Sequence, residues 1–374
     1  MFAIALCSEI YKVVSCPIFV HLSASFTHDL LIVGQGLAGS VLAETALRRG
    51  LRVRLLDEPR EGRASWVAAG LVNPVALRRT LLSWRAPELL PIAGAFYREA
   101  GLHLGREYWH PLPLVKVFPS AKEAGEWRVR MNDLEVGHYL SIETCTDPGL
   151  QRVDQPYGHG QVKRAAWVDV AGLLTAWRAL WHEQGVLEER RVEPGDVRTV
   201  PGGVDLFGHT APLIVWCAGP FAQINGLVPV RGERLTVRLP GLDLGVLVHR
   251  GGFILPLGGD DYRVGSTYDW DDVWSGPTAT GRADLLRRLH KLLLHTPLEP
   301  EEAEAFHVVD HWSGVRPTAS DRRPLLGRIA PHQAVLNGLG SKGVLLAPWC
   351  AHHLLEHLLD GAALDPEVDL ARFV

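Results

Sequence analysis

The stretch "LLIVGQGLAGSVLAETALRRGLRVRLLDEP", residues 30–59, decides the fold. Leu30 to Val33 are continuously apolar and read as a buried parallel strand. Gly34 permits a tight turn. Gly36 has no Cβ, so a pyrophosphate can approach the backbone, and Gly39 lets a helix pack close to the strand. The helix is predicted from about Leu37 to Arg49 and stops at Gly50. Its N-terminus offers free N–H groups and a partial positive charge to phosphate. A second apolar run ends at Asp57, whose carboxylate suits ribose hydroxyls. A GxGxxG alone says little. Strand, helix, second strand and acid in this order describe a dinucleotide site.

The segment after Asp57 separates this chain from a simple nicotinamide domain. "EPREGRASWVAAGLVNPV", residues 58–75, is a polar loop and a run of small residues, where a continued βαβ pattern is expected. Ser65 and Ala68-Ala69-Gly70 would let backbone lie against a larger cofactor. Residues 91–159 read as mixed strand and loop, rich in Pro and Trp. "AAWVDVAGLLTAWRALWHEQG" reads as a helix capped near Asp169, with Leu173, Leu174, Trp177, Leu180 and Trp181 as its core stripe. "APLIVWCAGP" is another buried strand, and Ala218 and Gly219 stand at its carboxyl end, where parallel sheets bind ligands.

"RGERLTVRLP", "GFILPLGG" and "YRVGSTYDW" alternate with period two and predict an antiparallel sheet, succeeded by an amphipathic helix in "PTATGRADLLRRLHKLLL". The chain closes as strand, Gly-rich loop and helix, with Lys342 at the helix start and Pro348 in its first turns.

Composition narrows the classes. At 374 residues and 47% hydrophobic content the chain suits about two globular domains. A net charge of −4 without a basic run argues against nucleic acid as a main partner. Five scattered Cys, without a CxxC, fit a reducing compartment, and a cytoplasmic location is expected. No run is long enough for a membrane span. Residues 1–27 read as an extension, dispensable or from an upstream start; a membrane-surface anchor is the other reading.

Further motifs carry a resemblance: Pro229-Val230-Arg231-Gly232-Glu233, Ile254-Leu255-Pro256 with Val264-Gly265-Ser266-Thr267, Gly314-Val315-Arg316-Pro317 with Asp321 and Pro324, and Gly338-Leu339-Gly340-Ser341-Lys342-Gly343. With the dinucleotide unit, the 65–70 segment and Cys217-Ala218-Gly219, the chain resembles the flavin-dependent oxidoreductases of the D-amino acid oxidase and glycine oxidase family from about Asp29 to Gly361.

The resemblance implies an α/β architecture, an FAD-binding Rossmann-like parallel-sheet domain interleaved with an antiparallel-sheet α+β substrate domain. Residues 28–90, 160–222 and 305–374 would form the first, and 91–159 and 223–304 the second. It implies FAD, with Gly34, Gly36, Leu37, Ala38 and Gly39 at the pyrophosphate and Asp57 at the adenosine ribose. Ser65, Ala68, Ala69, Gly70, Ala218 and Gly219 would lie along the cofactor, and Val192 would meet the adenine through its backbone. Gly340, Ser341, Lys342 and Gly343 would face the pyrimidine edge, where a helix N-terminus and Lys342 stabilise negative charge on reduced flavin.

The resemblance places Arg316 at the family position for a substrate carboxylate and also among the cofactor-binding residues; the plain alternative is a surface or interdomain salt bridge. The implied reaction is hydride transfer from the carbon bearing the amine of a small amino or imino acid to flavin N5, with oxygen or another acceptor taking the electrons. A tRNA-borne carboxymethylaminomethyl substrate and a non-catalytic flavin-binding role are the alternatives.

The chain departs from the family at "NPVALRRTLLSWR", residues 73–85, and in the Gly-Ser-Lys-Gly loop. Tyr157, Tyr262 and Tyr268 compete as a second carboxylate partner. No Cys lies near Arg316-Pro317-Thr318, so FAD is expected to be non-covalent. His353, Glu356 and His357 spell H-x-x-E-H, but a helix face explains them and no metal is expected. His311 is read as structural.

Overall fold

Leu30, Leu31 and Ile32 have no solvent exposure, so the first strand has water on neither face. Each such side chain contributes roughly 1.5–3 kcal/mol of burial. A computed structural model of the chain describes residues 26–293 and 306–373. The expectation for residues 1–27 therefore lies outside the described residues, except at Phe26 and Thr27.

Seven helices among the described residues organise the chain: α1 (Leu37–Arg48), α2 (Ala64–Val67), α3 (Ala86–Leu104), α4 (Ala121–Arg130), α5 (Val170–Glu183), α6 (Ala279–Leu292) and α7 (Gly343–Asp360). A six-stranded sheet runs in the order Leu187–Glu189, Val53–Asp57, Leu30–Val33, Ile214–Trp216, Gln333–Asn337, Leu325–Ala330. Its first five strands are parallel and the last pairs antiparallel. α1 and α7 pack together, and α3 packs on α7.

An eight-stranded sheet has the order His307–Ala319, Leu227–Arg238, Asp261–Gly265, Phe253–Gly258, Leu247–His249, Leu114–Val117, His159–Val162, Leu140–Ser141. It is antiparallel except where Leu247–His249 meets Leu114–Val117. The chain thus has the α/β architecture with a parallel Rossmann-like sheet interleaved with an antiparallel one.

Local signals worked where side chains satisfy backbone. Asp169 caps α5 by accepting from Gly172 N at 3.1 Å. Trp177 and Trp181 stack with centroids 5.4 Å apart in the core. Thr278 caps α6.

The segment 91–159 departs from its strand-and-loop reading. α3 occupies residues 86–104 despite Pro91, and α4 comes next. Pro91 stands in the second turn, where its missing N–H removes one hydrogen bond, and the helix instead buries Leu89, Leu90, Ala93 and Tyr97. A boundary at residue 90 would cut this helix. A boundary at 305 also sits badly with the strand pairing, because His307–Ala319 pairs along its length with Leu227–Arg238 in the antiparallel sheet. Arg316 therefore stands on that sheet and not on the dinucleotide unit.

Candidate active site

Two cavities open at the carboxyl ends of the parallel strands. The larger, about 770 Å³, lies between these strand ends, the α7 N-terminus and one face of the eight-stranded sheet. The smaller, about 110 Å³, continues from it past the second strand. They share Gly36, Ala64, Ser65, Cys217, Gly219 and Pro317.

Nearly all residues named from sequence meet here. Gly36, Leu37, Ala38, Ser65, Ala68, Ala69, Gly70, Gly219, Arg316, Gly340, Ser341, Lys342 and Gly343 line the larger cavity. Gly34, Gly36, Asp57, Ser65, Val192, Ala218 and Gly219 line the smaller one. Gly39 lines neither and is buried in α1.

The turn at Gly34 requires glycine. Its φ is +102°, and an added Cβ would stand 2.5 Å from the Cys217 carbonyl oxygen. The α1 N-terminus has no capping side chain at Gly36 and no acid in its first turn. Ser65 Oγ accepts from Leu37 N at 3.0 Å. The α7 N-terminus is likewise free of a side-chain cap and of first-turn acids.

Asp57 is more occupied than its sequence reading suggests. It accepts from Gln35 N at 2.8 Å, Arg63 Nη1 at 2.9 Å and Arg178 Nη1 at 2.9 Å. A carboxylate has about four acceptor sites, so about one remains for a ribose.

The chain entering the Ala68–Gly70 segment is pinned to the sheet at Val67 and Ala68 by two arginines that sequence reading missed. Arg234 Nε donates to Val67 O at 2.8 Å and Arg263 Nη1 to Ala68 O at 3.3 Å. Burial lowers the pKa of both. No local motif marks them; only the sheet register brings them to this segment.

Arg316 projects from its strand into the larger cavity, donating to Ser266 Oγ at 2.9 Å and Thr267 O at 3.3 Å. Its guanidinium lies 4.4 Å from the Tyr268 ring centroid. Gly232 makes the room, because a Cβ there would run into this guanidinium. Arg316 has no carboxylate partner among the described residues, and burial lowers its pKa. The salt-bridge alternative is therefore not what the structure has. Of the three tyrosines, Tyr268 reaches the cavity, Tyr262 is buried with its hydroxyl accepting from Leu244 N, and Tyr157 is exposed.

Lys342 Nζ donates to Ser83 Oγ at 2.8 Å and Asn73 O at 3.4 Å, and burial lowers its pKa to about 8. Lys116 and His249, neighbours on adjacent strands, also line this cavity. Lys116 pairs with Glu123 at 3.1 Å, and burial, then Lys116, lowers the His249 pKa to about 4.

The H-x-x-E-H helix face is otherwise engaged. His353 Nε2 accepts from Asp365 N at 2.9 Å, and His357 Nδ1 stands 2.8 Å from Ala362 O. His311 Nε2 stands 2.7 Å from Glu233 Oε2, and Glu233 lines the larger cavity.

Residues 29–357 match the family model described as FAD dependent oxidoreductase, DAO. The chain belongs to this family of FAD-dependent oxidoreductases.

Similarity within the DAO family runs in two directions. The glycine oxidase of Geobacillus kaustophilus is 26% identical over 86% of this chain and 90% of its own length. The tRNA 5-methylaminomethyl-2-thiouridine biosynthesis bifunctional protein MnmC of Caulobacter sp. strain K31 is 28% identical over 88% of this chain. The chain spans about half the length of that relative, 54%. Among solved structures, glycine oxidase from Geobacillus kaustophilus superposes with a TM-score of 0.72 at 22% identity, covering 92% of this chain and 97% of its own. Iminodiacetate oxidase from Chelativorans sp. BNC1 gives 0.72 at 19% identity, covering 92% and 98%.

The protein is thus an FAD-dependent oxidoreductase. The residues present fit FAD: a glycine turn before a helix with no first-turn acid and no cap from its own N-cap residue, a continuous crevice at the strand ends, and, at a second helix start, a lysine held by neutral partners. No helix among the described residues is long and apolar enough to cross a membrane.

Proposed function

We propose that the protein oxidises the C–N bond of a small amino or imino acid. The carrying observation is Arg316, a cavity-lining guanidinium with no carboxylate of the protein's own among the described residues. It offers a planar fork of donors to a substrate carboxylate. Held there, the substrate has its amine-bearing carbon oriented toward the cofactor, and orientation is the main requirement. Bound FAD supplies the two-electron acceptor for the C–H hydride. Lys342 and the α7 N-terminus stabilise negative charge on the acceptor's side of the cavity. With the hydride gone from carbon and a proton lost from nitrogen the amine becomes an imine, which water converts to an oxo acid with release of ammonia or an amine.

In the same reading, Gly34 to Gly39 and the α1 N-terminus take the pyrophosphate, and Asp57 and Val192 the adenosine end. FAD is held without a covalent bond. Cys217 lines both cavities, but burial raises its pKa and leaves the thiol un-ionised, hence a poor nucleophile. Flavin that stayed with the protein after acid precipitation would contradict this.

A second reading keeps the site and enlarges the substrate to a carboxymethylaminomethyl group on tRNA, an amine beside a carboxylate. It is favoured by the relatives named for tRNA modification and by Tyr268, which lies against Arg316, and Trp270, which stacks on Tyr268 at 6.2 Å, each about half exposed. Such exposed rings stack bases in single-stranded RNA. A tRNA gel shift separates the two: binding that Trp270→Ala abolishes supports the second, and no binding at low salt leaves the first.

A further inference from the structure

Within the segment 73–85 singled out from sequence, residues 73–83 fold as a short hairpin. Val75 pairs with Leu82, and Ala76 with Leu81. Asn73 Oδ1 accepts from Val75 N at 2.9 Å, and Ser83 N donates to Pro74 O at 2.7 Å. The base of the hairpin is thereby closed, and it stands against Lys342.

The proton count at this base is specific. The Ser83 hydroxyl donates to Asn73 O at 3.0 Å, so its lone pairs are left to accept. Lys342 Nζ supplies that donor at 2.8 Å and gives a second hydrogen to Asn73 O at 3.4 Å. An ammonium has three donors, so one remains unused among the described residues. Both partners are neutral. A carboxylate in the place of Ser83 would cancel the charge; a hydroxyl fixes the ammonium and leaves its charge available to an anion in the cavity. Ser83 itself is 3% exposed, so water does not compete for the contact.

We infer that the hairpin is the positioning element for Lys342, and that the buried Ser83 hydroxyl holds the ammonium aimed at the cofactor. This rests on the reading that Lys342 faces bound FAD. Ser83 is a positioning residue: it acts through Lys342 and touches neither cofactor nor substrate. Sequence alone raises the segment as unusual but cannot connect it to a lysine so distant along the chain.

The test is the two-electron midpoint potential of FAD in the purified holoprotein, for wild type, Ser83→Ala, Lys342→Met and the double variant. Lys342→Met removes a charge that favours the reduced form, and Ser83→Ala lets that charge wander. Ser83→Ala is expected to lower the reduction equilibrium constant about tenfold, or about 30 mV. Lys342→Met lowers it at least as much, and the double variant no further than Lys342→Met. Ser83→Thr, which keeps the hydroxyl, restores the wild-type potential. If Ser83→Ala does not retain FAD, Ser83→Cys keeps the shape with a weaker acceptor and carries the same expectation. A potential unmoved by Ser83→Ala but lowered by Lys342→Met overturns the hairpin's role alone, as does a full Ser83→Ala effect in the Lys342→Met background. A potential unmoved by Lys342→Met overturns the reading of Lys342 on which it rests.

Discussion

The two ends of the crevice treat charge differently. The charged side chains that line the smaller cavity are all paired: Asp57 with Arg63 and with Arg178 behind it, Arg60 with Glu58, and Arg190 with Glu188. In the larger cavity Lys116, Arg234 and Arg250 are paired with Glu123, Asp310 and Asp154, but Arg316 and Lys342 are held by hydroxyls and carbonyls, and neither has a carboxylate among the described residues. Burying a cation without its counter-ion costs stability. A fold keeps such an arrangement where a ligand completes it, so Arg316 and Lys342 are the cations left for anionic groups of a ligand, while the paired charges hold the frame around the adenosine end.

Removing one of these unpaired cations gives the largest effect. Arg316→Ala is expected to lower kcat/KM for the true substrate about 10²–10³-fold, the loss of a desolvated charge-assisted carboxylate contact. The FAD content of the purified protein stays as in wild type. Steady-state kinetics beside the visible spectrum check both, and an unchanged kcat/KM refutes the carboxylate assignment.

Gly34→Ala tests the backbone between the two ends. With φ at +102° and the Cys217 oxygen in the way, the substitution should cost about 1–3 kcal/mol in stability. It should also reduce the FAD-to-protein ratio. Thermal melts with and without added FAD read this directly.

Arg178→Met probes the paired end. It removes one donor from a buried carboxylate, at about 1–3 kcal/mol. The loss should appear in the melt of protein stripped of FAD, with kcat in the refilled enzyme near wild type. A collapse of kcat with unchanged stability would reverse the roles of the two ends.

The smallest effect is on pH. Burial lowers the Lys342 pKa to about 8, so its amine is charged below that pH and neutral above it. Binding of acetate, monitored by the flavin spectrum, should weaken as pH rises through 8 and show no such step in Lys342→Met.

The paired end and the dinucleotide unit were largely legible in sequence, because glycines in a βαβ frame act through the backbone. Gly34, Gly36 and Asp57 have a fixed order along one short stretch. The substrate side was less legible. Arg316 was found through its motif, but Arg234 and Arg263 reach the 67–68 carbonyls only because the antiparallel register brings them there. Ser83 and Asn73 meet Lys342 across the whole fold. α3 was missed because Pro91 argues locally against a helix that packing on α7 stabilises. His353 and His357 imitate a metal motif, and only their contacts with Asp365 and Ala362 show how they are used.

An anaerobic visible spectrum of the holoprotein, titrated with glycine, sarcosine, proline and D-amino acids, tests the central claim most directly. The account predicts oxidised flavin bands that bleach with at least one of these amino acids in wild type and not in Arg316→Ala. Bands that none of them bleaches, or bleaching that survives Arg316→Ala undiminished, would contradict it.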